Sequence, residues 1–394
     1  MPRLPTVPVM LAGFAAFLDL YATQPLLPFL ARTFNASHFD VSLTVTAPTV
    51  AVAIAAPFVG RLADRLGLRH VIVGSAFALA VATALAATSA TLSQIIFWRF
   101  VQGVVTPGVF ASAVAYIHEV WPASHAGRAT AAYLSGTILG GFTGRVVAGL
   151  MAADVSWQAA FVALAVLNGA VAIALAIWLP SEVRQTARHV VSGDGEARGS
   201  VAAHFRNKRL TTTYIVGFSV LFTQVAMFTY VTFYLAAPPF NLSTVALGWL
   251  FVTYLLGAVV TPISGHWIDR YGHRTGIGSA MAIGGAGALL TLVPWLPAIV
   301  IGLSLAATGV FIAQATASSY IGAVTTQDRG LAVGLYSTFY YAGGSAGSAV
   351  PSAVWSLAGW PGCVALVVAV QSAGAAIAFT QWKVPAGAEA RRLP

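Results

Sequence analysis

One cysteine, Cys363, is all the chain has in 394 residues. No intrachain disulfide can form, and no cysteine cluster can hold a metal. Charge is almost as scarce: Asp, Glu, Lys and Arg make up 8% of the sequence, where soluble domains carry about a quarter. That shortfall excludes an ordinary soluble fold. The 8 histidines are scattered without an H-E-x-x-H pair, and no G-x-x-x-x-G-K-S/T phosphate loop occurs. A metallohydrolase and an ATP-driven motor are thereby excluded, and neither metal nor cofactor is expected. Acidic residues number 11 against 20 basic ones, a net charge of +9. In a soluble protein that balance would point to nucleic acid. In a chain this apolar it reads as loop charge that sets orientation in a bilayer, and no nucleic-acid partner is expected.

What is present is hydrocarbon. Apolar residues are 58% of the chain, and the mean hydropathy is +0.81. The first apolar run, Val7 to Leu30, exceeds the roughly 7–15 residues of a signal-peptide core and reads as a retained first span. A span needs about 20 apolar residues. Breaking the chain at charged or Pro/Gly-rich points gives twelve segments: 8–30, 41–60, 71–91, 94–117, 128–152, 157–179, 210–236, 243–264, 275–294, 297–321, 330–353 and 360–381. The alternation of a membrane barrel is absent. The expected fold class is therefore all-α integral membrane, with twelve transmembrane helices in two pseudo-symmetric six-helix bundles. Basic residues test the count. With the N-terminus placed in the cytoplasm, every Lys and Arg falls inside except Arg32, which lies outside, and Arg99 and Arg145, which lie within spans. That asymmetry is what the positive-inside rule requires. Both termini are expected in the cytoplasm of a multi-pass cell-membrane protein, a bacterial inner membrane being the best match.

The polar stretch SEVRQTARHVVSGDGEARGS, Ser181 to Ser200, differs from everything around it. It reads as a cytoplasmic linker. The expected domains are residues 1–180, a linker over 181–209, and residues 210–394. The two bundles repeat each other. GRLADRLGLR, Gly60 to Arg69, returns as GHWIDRYGHR, Gly265 to Arg274, and Pro57 is matched by Pro262. FNAS (Phe34 to Ser37) returns as FNLS (Phe240 to Ser243), and GGFTG (Gly140 to Gly144) as GGSAG (Gly343 to Gly347). Parallel repeats about an axis along the membrane normal are a transporter plan, with the site between them near the midplane.

These residues resemble the major facilitator superfamily over essentially the whole chain. GRLADRLGLR is similar to that family's signature loop between the second and third spans, with its weaker copy between the eighth and ninth. WRFVQG (Trp98 to Gly103) resembles its fourth-span motif. YLSGTILGGFTGRVVAG (Tyr133 to Gly149) resembles the glycine-spaced fifth-span motif of the antiporter branch, but has Arg145 where a proline usually follows the glycine. DLYATQPLLP (Asp19 to Pro28) is similar to the first-span pattern of twelve-helix drug:proton antiporters and arabinose-efflux-like permeases.

In the signature loop, Gly60 is read as ending span two and Gly67 as turning the chain at the membrane face. Arg65 and Arg69, with Arg61, anchor the loop on the cytoplasmic side. Asp64 is not asked for by that rule. Its partner is a local arginine, or the positive N-terminus of the span that begins near Arg329. The resemblance implies the second, a latch between the two halves when the site faces outward. Asp269 and Arg270 hold the matching place.

Ionisable residues inside spans are functional candidates by default. Asp19 lies midway along span one, and Arg99 and Arg145 lie in the outer halves of spans four and five. An arginine cannot usefully lose its proton. An aspartate taken out of water can gain one. Asp19 is the expected proton carrier and Arg99 its partner, the alternative being a fixed ion pair between spans one and four. Arg145 is a second partner or a donor to exposed carbonyls, which is preferred, or a surplus charge that suits an anionic cargo. Gly136, Gly140, Gly144 and Gly149 form a close-packing seam of the small-xxx-small kind. Candidate substrate ligands, besides Arg145, are Tyr21, Gln24, Gln102, Gln224, Tyr230, Tyr234, Gln314, Tyr336 and Tyr340. The expected function is proton-coupled export of small organic molecules such as drugs, sugars or metabolites, by a monomer. The alternative is a symporter importing a small metabolite, including an organic anion. No catalytic residues, and so no enzyme, are expected.

Overall fold

A computed structural model describes residues 6–180, 201–325 and 329–382. Among them there are helices and no strands. The order is α1 (Val7–Leu18), α2 (Leu27–Thr33), α3 (His38–Leu66), α4 (Leu68–Ala87), α5 (Leu92–Val120), α6 (Ala123–Asp154), α7 (Trp157–Trp178), α8 (Val201–Arg206), α9 (Lys208–Ala236), α10 (Thr244–Trp249), α11 (Leu256–Tyr271), α12 (His273–Leu290), α13 (Leu296–Val324), α14 (Arg329–Ala349) and α15 (Pro351–Gln381). Among the described residues, nine helices are long and apolar enough to cross a membrane. Of the expected linker over 181–209, residues 181–200 lie outside the described residues, and the remainder holds α8 and the start of α9.

Local chemistry sets the helix ends, and it does so twice. Asn35 (φ 47°) and Asn241 (φ 49°) both turn the chain in the left-handed region. Two residues later Ser37 and Ser243 cap α3 and α10, accepting from the amides of Asp40 and Ala246. Ser37 and Asp40 form a full capping box, which satisfies two orphan helix N–H groups. At the opposite end, α3 runs on through Leu66 and stops at Gly67, where φ is 87°. Gly272, with φ 85°, breaks α11 from α12 in the same way. The signature stretch is thus not a ten-residue loop. Gly60, expected to end span two, sits inside α3, and only Gly67 supplies the positive φ that stops it.

Two spans are discontinuous. The first stops at Leu18, passes through a turn, and resumes as a 3-10 turn over Gln24–Leu26 and then α2. Pro25 and Pro28 lie just beyond the break; neither can donate a helical hydrogen bond. The eighth is interrupted by a 3-10 segment, Leu250–Leu255, between α10 and α11.

Helices α1 to α7 pack on one another, as do α9 to α15. Gly136, Gly140 and Gly144 bring α6 onto α1, where an added Cβ would overlap the carbonyl oxygens of Met10, Phe14 and Leu18. Gly343 and Gly347 set α14 on the Phe218 and Phe222 carbonyls of α9 in the same manner. Gly149 departs from the expected seam. It faces Thr244 and Gly248 of the second group, because five residues past Gly144 the helix has turned too far to return to α1. Between the groups, Thr46 and Ser348 hydroxyls lie 2.5 Å apart, Ser345 donates to Thr49 (3.0 Å), and Gln24 donates to Thr229 (3.0 Å). All of these lie in the middle of the molecule or toward its Ser37/Ser243 end.

Candidate functional site

The break in the first span positions Asp19. As the C-cap residue just after α1, it leaves the α-helical ladder, and from the main chain its carbonyl accepts only a tighter turn bond, from the Ala22 amide (3.0 Å). Its side chain is 2% exposed. Oδ2 lies 2.5 Å from the Thr83 hydroxyl of α4 and accepts from Asn168 Nδ2 of α7 at 2.7 Å. Oδ1 has no partner among the described residues. The carboxyl group is therefore held by two neutral donors.

Arg99 of α5 is fully buried and lies against the same break, but it does not reach the carboxylate. Nη1 donates to the main-chain oxygen of Asp19 (2.7 Å) and Nη2 to that of Leu20 (2.7 Å). Nε donates to the Thr44 oxygen of α3 (2.9 Å). Nη1 also bonds Gln102 Oε1 (2.6 Å), and Gln102 Nε2 donates to Thr83 (2.9 Å). The expected side-chain pair between Asp19 and Arg99 is replaced by a guanidinium that satisfies the carbonyls freed where α1 stops. Gln102, read as a substrate candidate, is built into this network.

Arg145 of α6 forms a second centre, at the junction of the two helix groups. It is 3% exposed. Nε donates to Gln24 Oε1 (2.9 Å) and Nη1 to the Gly141 oxygen (2.7 Å). The rings of Tyr21, Phe251 and Tyr254 surround its guanidinium carbon, with centroids at 5.1, 4.5 and 4.9 Å. Gln24 passes the contact on to Thr229 of α9. Tyr21, Gln24 and Arg145 are thus brought together.

Gln224, Gln314 and Tyr340 are half-buried; Gln224 lies beside Tyr254 and Tyr340 neighbours Tyr21 and Tyr254, so both adjoin the Arg145 cage. Tyr336 stacks on Tyr340 at 5.9 Å. Tyr230 donates to the Ser348 oxygen (2.8 Å), and Tyr234 lies flat on Trp360 at 5.6 Å, so both serve aromatic packing near the Ser37/Ser243 end. In the signature segment Asp64 and Arg65 are exposed. Arg69 instead donates to the Leu179 and Ala176 oxygens at the end of α7 (2.8 and 2.6 Å). Its counterpart Arg274 caps α15 through the Trp382 oxygen (2.6 Å). Arg270 lies over the Tyr271 ring. The side chains of Asp269 and Arg329 fall outside the described residues. Among the described residues no group of three or more His, Cys, Asp or Glu could hold a metal.

Thr83, Asn168 and Thr44 were missed by sequence reasoning. The available signal was an amide in the middle of AVLNGAV, a costly group to bury without a partner.

The family model of the Major Facilitator Superfamily matches residues 9–244 and 234–392. The chain belongs to that superfamily. Among relatives, it is 29% identical to the uncharacterized MFS-type transporter YybF of Bacillus subtilis, over 90% of this chain and 88% of that one. It is 28% identical to the inner membrane transport protein YnfM of Escherichia coli, over 92% and 86%. Among solved structures, a bacterial homolog of the human lysosomal transporter Spinster, in an inward-facing and occupied conformation, superposes with TM-score 0.78 at 14% identity, covering 96% of each chain. The nucleoside transporter NupG gives 0.74 at 14% identity, covering 96% of this chain and 100% of that one. These major facilitator structures share the fold. The protein is a multi-pass membrane transporter of small molecules and not an enzyme.

Proposed function

We propose that this transporter is a proton-coupled exporter that exchanges small organic molecules for protons by alternating access. The observation that carries the reading is the buried Asp19 carboxyl. It sits at the broken point of the first span, held by Thr83 and Asn168, with one oxygen unpaired among the described residues. A carboxylate fixed by a guanidinium would be locked in its charged form. One held by neutral donors can exist charged or protonated, as a coupling group must.

In this reading residues 1–180 and 210–394 are the two rocking halves and 181–209 their cytoplasmic linker. Both termini lie in the cytoplasm, and twelve spans cross the membrane. The relative YnfM is named as an inner membrane protein, which supports a bacterial inner membrane here. The Ser37/Ser243 end then faces outward, and among the described residues hydrogen bonds between halves lie on that side. The Spinster homolog, an inward-facing structure, has the matching fold. Asp64, exposed at the opposite end, is the latch that engages when the inner side closes, with Asp269 and Arg270 as the weaker copy.

The test is proton movement in reconstituted vesicles under an imposed pH gradient, with a panel of sugars, drugs and organic acids added in turn. A cargo should release protons through the native protein and not through Asp19→Asn. Cargo movement without any proton movement refutes coupling.

A further inference from the structure

We infer that the cargo is an amphipathic organic anion whose carboxylate-like group docks on Arg145, with its apolar body against Tyr21, Phe251 and Tyr254. The inference rests on the transporter reading above and names the chemical class of what is carried.

Three observations meet at this point. First, Arg145 is a buried cation with no anion beside it among the described residues. It is 3% exposed, and no carboxylate among the described residues pairs with it. Its protein acceptors among the described residues are neutral, the Gln24 amide for Nε and the Gly141 carbonyl for Nη1, and among those residues Nη2 has none. A guanidinium offers five N–H groups in a fork that fits a carboxylate edge. Burying such a charge without a partner is costly, so it persists where a charge is to be bound. Second, the Tyr21 hydroxyl is buried beside it with no hydrogen-bond partner among the described residues. It is a spare donor on a ring whose centroid lies 5.1 Å from the guanidinium carbon. Third, the cage is shared. Tyr21, Gln24 and Arg145 come from the first group of helices, and Phe251, Tyr254 and Thr229 from the second. The aromatic ones lie on the irregular 3-10 stretch of the interrupted eighth span. Any molecule held there touches both halves, so its arrival can bias their rocking.

The rings stabilise the guanidinium. They also offer flat apolar faces to a cargo, which a purely polar anion could not use. Three rings and one cation therefore select an acid with a hydrophobic body rather than inorganic phosphate or a sugar. Asp19 lies apart from this cage, joined to other partners, so proton and anion need not compete for one residue.

The experiment uses the full-length protein, purified and also reconstituted. The probes are 4-phenylbutyrate, 4-phenylbutyramide and 4-phenylbutylamine, alike in shape and differing in charge. Binding is read as a saturable rise in the thermal unfolding midpoint followed by tryptophan fluorescence. The carboxylate should bind at least about tenfold more tightly than the amide, and the amine should not bind. Arg145→Gln should lose about tenfold or more for the carboxylate alone, and Arg145→Lys less. Should the arginine variants fail to fold, Tyr21→Phe keeps the ring and removes only the hydroxyl; it should weaken the carboxylate several-fold and leave the amide unchanged. Equal binding of all three probes by the native protein overturns the inference, as does undiminished carboxylate binding in Arg145→Gln. Silence of all three probes overturns it too. Proton movement in vesicles separates the two readings. Carboxylate binding that depends on Arg145 without proton movement sustains the anion site and sinks coupling. Protons driven by the amine or amide alone sustain coupling and sink the anion site.

Discussion

Gln24 donates from Nε2 to Oγ1 of Thr229 at 3.0 Å, and the two residues stand 205 positions apart. That is within one residue of the interval from Phe34 to Phe240 in the sequence repeat. The bond joins neighbouring points of the two copies, so it lies near where a pseudo-twofold axis would pass. Gln24 also accepts from Arg145. One amide thus holds the central cation with its oxygen and the opposite group of helices with its nitrogen.

Thr229→Val removes the acceptor and leaves a buried amide N–H without one. One hydrogen bond contributes about 1 kcal/mol. On an open-closed equilibrium that is roughly a fivefold change in population. Spin-label distances across the Ser37/Ser243 end, in proteoliposomes, should show the separated arrangement gaining by that factor. An unaltered distance distribution would mean that the bond does not bear on the equilibrium.

The glycines separate into those that matter and those that do not. At Gly144 an added Cβ overlaps the Leu18 carbonyl oxygen, while at Gly60 nothing lies within 4 Å. Gly144→Ala should cost about 1–3 kcal/mol through overpacking and lower both yield and thermal midpoint. Gly60→Ala, in the middle of α3, should be neutral or stabilise by about 0.5–1 kcal/mol, since alanine loses less backbone freedom there. Equal behaviour of the two variants would refute the packing argument.

Arg69 and Arg274 are expected to be structural. Each ties the start of one helix to the last carbonyls of another, α4 to α7 and α12 to α15. Arg69→Ala should lower the thermal midpoint, by roughly 1–2 kcal/mol of stability, from loss of charged hydrogen bonds at a helix C-terminus. Asp64→Asn, at an exposed position, should leave the midpoint in place and slow transport. The reverse pattern would remove Asp64 from the gate.

How far the sequence could be read follows from which interactions leave a local mark. Asp19, Arg99 and Arg145 stood out because charge in an apolar run is rare and expensive. The steps of four from Gly136 to Gly144 predicted one packed helix face, which α1 occupies. Gly149 was misassigned because one extra residue turns it by about 100°, and only the fold places α10 on that side. Gly60 and Gly67 look alike in the sequence, since a glycine does not announce the sign of its φ. The partners of Asp19 were hidden for a different reason. A threonine and an asparagine in apolar helices are ordinary until three helices bring them to one point.

The most discriminating case is Asp19 with Arg99, expected as a proton carrier and its partner, with a fixed ion pair as the alternative. If Arg99 existed to neutralise the Asp19 carboxylate, removing both charges together should be milder than removing the arginine alone. The geometry demands otherwise. Arg99 satisfies the main-chain oxygens of Asp19, Leu20 and Thr44, and those oxygens remain whatever the side chain at position 19. Arg99→Met should cost several kcal/mol, since charged hydrogen bonds contribute about 1.5–3 kcal/mol each, and should leave little folded protein. Asp19→Asn should fold, because Thr83 and Asn168 can still pair with the amide oxygen. The double variant should be as poorly folded as Arg99→Met. Rescue of folding in the double variant, measured as monodisperse yield and thermal midpoint, would restore the ion pair. Its absence leaves Asp19 without a cation at its carboxyl group, the condition under which one side chain can carry a proton across the cycle.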